Sequence, residues 1–124
     1  MGKLRMPNHS TTPWQDRFEL KTCTAAKLEK AIPATAVGVA VIYTAGSGTA
    51  DEKIHLVVES RVGSLRAQCV KRLQTAKLPP VEELTVSFKT EKLPDTSPET
   101  LDAICRDQVI FAAQLRRELR PAMR

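Results

Sequence analysis

SPETLDAICRDQVIFAAQLRREL, residues 97–119, reads as one helix over its whole length. Ser97 is a helix-capping residue, and Pro98 suits the first helical position, where a missing N–H costs nothing. Pro121 closes the far end. At about 1.5 Å per residue the helix spans roughly 34 Å, the width of a small domain. Leu101, Ile104, Phe111, Leu115 and Leu119 recur at three- and four-residue steps and supply one stripe for a core. Val109, Ile110, Phe111, Ala112 and Ala113 are consecutive, which makes the middle turns apolar all round. A surface helix has no use for a second apolar face, so Ala103, Val109, Ile110 and Ala113 are expected to meet another subunit.

Upstream of this helix the chain alternates between strand and helix patterns. Residues 1–15 hold two prolines and no period, and are expected to form a flexible arm; residues 16–124 form a single domain. RFELKTC (17–23) puts Phe18, Leu20 and Thr22 on one side and Arg17, Glu19 and Lys21 on the other, the pattern of a half-buried strand. Thr24 can cap a short helix over 25–32, which Pro33 stops. AVGVAVIYT (36–44) is apolar on both alternating sets, as in a central strand covered on both faces. A polar turn over 45–52 leads to the strand KIHLVVES (53–60), giving a hairpin. Val62, Leu65, Cys69, Leu73 and Ala76 mark a second helix, ended by Pro79 and Pro80, and Leu84, Val86 and Phe88 mark a last strand over 83–90. The order predicts an α+β fold: a ferredoxin-like βαββαβ sandwich with an added long C-terminal helix. Both the two-faced strand and the two-faced helix imply that neither face of the sheet is in water.

RNA-recognition motifs share this order and stack bases on aromatics of their first and third strands. The only aromatic on the corresponding strands here is Phe18, on the apolar set with Leu20, so base stacking is disfavoured. In element order alone the chain also resembles small trimeric sheet proteins of the CutA and PII type.

The net charge is +5 over 124 residues, and its distribution says more than its total. Residues 61–77 carry Arg61, Arg66, Lys71, Arg72 and Lys77 with no acid, residues 78–107 come to −4, and residues 108–124 to +3. Such blocks steer an anionic partner to one face or pair between subunits. The basic helix, extended by Arg116, Arg117 and Arg120, is the strongest candidate for contacting phosphates, with nucleic acid the expected partner.

Catalytic and cofactor signatures are missing from the pattern. Gly46-Ser47-Gly48 sits between two strands, lacks the third glycine of a dinucleotide fingerprint, and gives Ser47 no strand-to-helix elbow. His55 reads as a cross-strand partner rather than a base. Cys23, Cys69 and Cys105 are widely spaced and read as buried thiols in a reducing, cytoplasmic setting; no Cys or His spacing suits a metal. No membrane span, signal sequence, cofactor, metal or catalytic residue is expected. These observations favour a non-enzymatic basic module that self-associates or docks in a larger complex and contacts an anionic partner. A structural subunit of a viral or phage particle is the first alternative, and a small-molecule sensor or small enzyme with its site at a subunit interface is the second.

Overall fold

A computed structural model describes residues 13–45, 52–60, 64–91 and 97–122. Residues 1–12 of the arm expected over 1–15, residues 46–51 of the turn expected over 45–52, and Arg61 and Val62 of the second helix lie outside these residues. Pro13 starts a single helical turn, α1 (Trp14–Arg17), its carbonyl accepting from the N–H groups of Asp16 and Arg17. Glu19 then takes a left-handed conformation (φ 58°) and redirects the chain into β1 (Lys21–Thr24). The first strand is therefore shorter than the alternation implied, because its leading residues are spent on a turn. Phe18, Leu20 and Thr22 nevertheless fall on one side of the sheet, as their spacing required.

The first connection is a 3₁₀ turn (Ala25–Lys27) running into α2 (Leu28–Ala31), and Thr24 makes no side-chain capping bond to it. Ala25, Leu28 and Ile32 are buried as expected. The hairpin strands are β2 (Val37–Thr44) and β3 (Lys53–Glu59), with a bulge where Ile42 and Tyr43 pair across. Ser64 caps α3 (Leu65–Thr75), accepting from the Ala67 N–H, while the Leu65 N–H donates to the Ala36 carbonyl. A 3₁₀ turn (Val81–Glu83) precedes β4 (Thr85–Glu91). The last element is α4 (Pro98–Leu119), with Ser97 accepting from the Thr100 N–H and Arg120 in the left-handed conformation at its end.

The class is α+β: a four-stranded antiparallel sheet, with a long C-terminal helix. The strand order is β1-β4-β2-β3, which corrects the ferredoxin-like expectation. In a ferredoxin-like sheet the first and third strands are central, whereas here β2 and β4 are. The reason lies in β2, whose seven residues from Val37 to Tyr43 are all buried and must have a neighbour on either side and a cover above and below.

Two cores lie on the two sheet faces. On one, Leu28, Ile32, Leu65 and Cys69 pack on Ala40, Ile42, Leu56 and Val86. On the other, Leu20, Ala112 and Leu115, joined by Trp14, Phe18 and Phe111, pack on Val39, Val41, Tyr43 and Val57. The result is three layers, and the chain's own last helix covers the second face. Of the stripe expected to face the core, Phe111, Leu115 and Leu119 pack there, Ile104 is half-buried, and Leu101 is 37% exposed. Gln108 and Ala112 are buried in their place.

Candidate interaction faces

The basic block of the second helix is divided by the fold. Arg66 donates through Nε to the Ile32 carbonyl at 2.8 Å, tying α3 to the end of α2. Arg72 is half-buried and also engaged. Lys71 and Lys77 remain exposed. The neighbouring connection adds exposed Lys27 and Lys30, which a reading confined to 61–77 missed. Their signal was recoverable, since two helices crossing to one sheet face must share a surface. Glu29 is the one acid on Ala25–Ala31 and Leu65–Thr75, against Lys27, Lys30, Arg66, Lys71 and Arg72. A groove of about 200 Å³ separates the helices, lined by Ala26, Leu28, Glu29, Val70, Leu73 and Val81.

Arg116, Arg117 and Arg120 stand on the opposite side of the sheet and do not extend this surface. Arg116 is committed to structure: its guanidinium donates to Glu59 Oε1 at 3.2 Å and to the Val57 carbonyl at 3.1 Å. The Ala122 N–H donates to the Ile54 carbonyl at 3.1 Å. Together these contacts cap carbonyls of β3, an edge strand whose open groups would otherwise invite another chain. Arg117 and Arg120 are exposed.

The expected interface residues lie largely away from the core. Ala103 and Ala113 are exposed, Ile110 is 66% exposed, and Val109 is half-buried. Ile110 is the most exposed large apolar side chain among the described residues.

A line of hydrogen bonds crosses the sheet beneath α1. Thr22 and Ser87 hydroxyls lie 2.8 Å apart, Ser87 and Tyr43 hydroxyls 2.9 Å apart, and Gln15 donates to Tyr43 at 3.1 Å. Trp14 Nε1 donates to Glu52 Oε1 at 2.6 Å, and its ring meets Tyr43 edge-on. Ser87 is fully buried between two hydroxyls, neither of which is a base for its proton, and the line fastens α1 to the sheet. Burial and the Lys53 charge hold His55 below its ordinary pKa, and its Nε2 sits 2.7 Å from Thr44 Oγ1 across the hairpin. Burial raises the Cys23 thiol and, with Cys23 adding to it, pushes Cys69 up to about 12. Both stay protonated near neutrality and are poor nucleophiles. Among the described residues no group of His, Cys, Asp or Glu side chains is placed to hold a metal ion, and no helix is long and apolar enough to cross a membrane. Comparison with protein-family models, curated proteins and solved structures gives no match for this chain.

Proposed function

We propose that the chain is a non-enzymatic binding and assembly module. One face meets an anionic polymer, nucleic acid, while the opposite face joins copies of the chain. The observation that carries the first half is the charge of the helical layer, five cations to one acid on Ala25–Ala31 and Leu65–Thr75, with Glu82 and Glu83 confined to the turn beyond them. Binding to phosphates needs cations free to reach solvent and no particular base-reading geometry, and Lys27, Lys30, Lys71 and Lys77 meet that need. Arg66 is better regarded as a structural residue, since its guanidinium is already bonded within the layer.

Anisotropy of a labelled oligonucleotide, titrated across a range of salt concentrations, tests the proposal. Binding is expected to weaken steeply with salt. Lys71→Glu combined with Lys77→Glu is expected to weaken it by about tenfold or more and to lower the salt slope by about 2, because each lysine neutralises one phosphate and releases its counterion. Absence of binding to either single- or double-stranded probes at low salt overturns the nucleic-acid half.

A further inference from the structure

We infer that a second copy of this chain docks antiparallel on the outer face of α4, with Ile110 on the two-fold axis. The inference rests on the self-association half of the function proposed above and adds its geometry. At 100° per residue, Glu99, Ala103, Arg106, Ile110, Ala113 and Arg117 line the side of α4 opposite the buried Gln108, Ala112 and Leu115, with Asp107 and Gln114 along one border, and all of these stripe and border residues are exposed. Ile110 stands at the middle of this stripe. Ala103 and Ala113 flank it one to two turns away, and side chains that small let two helices approach to about 8–10 Å.

Charge decides the direction. The N-terminal end of the stripe carries Glu99, and Arg106 is neutralised within the helix by its ion pair with Asp102. The C-terminal end carries Arg117, with Arg120 beyond it. A parallel pair would set Glu99 against Glu99 and Arg117 against Arg117. An antiparallel pair centred on Ile110 brings Glu99 of each copy to the end that holds the partner's Arg117 and Arg120, and it does so twice because the contact is isologous. Like charges set opposite each other disfavour the wrong alignment, as they do in coiled-coil pairing.

One helix pair is smaller than a standard interface, so a weak, reversible dimer with a correspondingly high dissociation constant is expected. Sedimentation equilibrium of the full chain over a concentration series reads it. Ile110→Asp, at an exposed site that leaves the fold intact by circular dichroism, is expected to raise the dissociation constant by about 30-fold or more. Glu99→Lys and Arg117→Glu are each expected to raise it by about 5- to 10-fold, and the double variant to return it to within about twofold of the wild type. A dimer that survives Ile110→Asp, or charge reversals that add rather than cancel, overturns the antiparallel pairing while leaving self-association standing. A wild type that stays monomeric throughout the series overturns both, and the oligonucleotide titration is unaffected by either result.

Discussion

A Cβ built on Gly38 would lie 1.9 Å from the Lys89 carbonyl oxygen and 2.9 Å from the Thr90 Cα. The position has no space for a side chain because β2 and β4 approach there, where Gly38 pairs with Thr90. On the other side Gly38 and Ser60 close a small ring: the Gly38 N–H donates to Ser60 Oγ at 2.7 Å, and the Ser60 N–H returns to the Gly38 carbonyl at 3.1 Å. The residue is thus held by both neighbours of β2, and neither strand can move aside alone. Gly38→Ala is expected to destabilise the fold by about 3 kcal/mol, read as a lower urea midpoint with unchanged slope. A change below about 0.5 kcal/mol would show that β4 yields freely at this point. Nothing in the sequence singled this glycine out, because a close approach between strands distant in the chain leaves no local pattern.

At the scale of elements, α4 carries two different kinds of apolar residue that one hydrophobicity pattern cannot separate. Leu115 is wholly buried against the sheet, while Ile110 is 66% exposed. Leu115→Ala is expected to cost about 3 kcal/mol and Ile110→Ala less than about 0.5 kcal/mol, in urea melts at concentrations too low for copies to meet. Comparable losses at both positions would mean that the two faces are not distinct. The existence, type and ends of this helix were legible, since Ser97 and Pro98 start it as read and it stops at Leu119 before Pro121. Which residues its core stripe uses was only half legible. Leu101 fits the period but lies in the first turn, away from the residues that pack on the sheet, and the polar Gln108 is buried where the period predicts an apolar residue. The cations of α3 were legible as a charge block, yet the engagement of Arg66 with the Ile32 carbonyl depends on α2, whose position relative to α3 is set by the sheet.

For the whole molecule, the strand order was the part misread, and the sequence held a conflicting clue. AVGVAVIYT implied a central strand, whereas a ferredoxin-like sheet would place that second strand at the edge. The continuous apolar run outweighed the order of elements, and β2 took a central place between β4 and β3. The covering of both faces was foreseen, and α4 supplies the second cover from within the chain. A chain stopped after residue 96 would leave Val39, Val41, Tyr43 and Val57 without Ala112 and Leu115 above them. Such a fragment is expected to bind an apolar fluorescent dye and to aggregate; one that stayed monomeric and dye-free would show that α1 suffices as a cover.

The same arrangement has a meaning in time. Synthesis runs from the N-terminus, so the four strands are complete at Glu91 before any of α4 exists. At about 5–20 residues per second the helix follows roughly 1 to 6 s later. Until then only Trp14, Phe18 and Leu20 are available to cover the second face, and β3 lacks the contacts of Arg116 and Ala122. Closure of the second face and of the β3 edge therefore waits on the last element of the chain to be made.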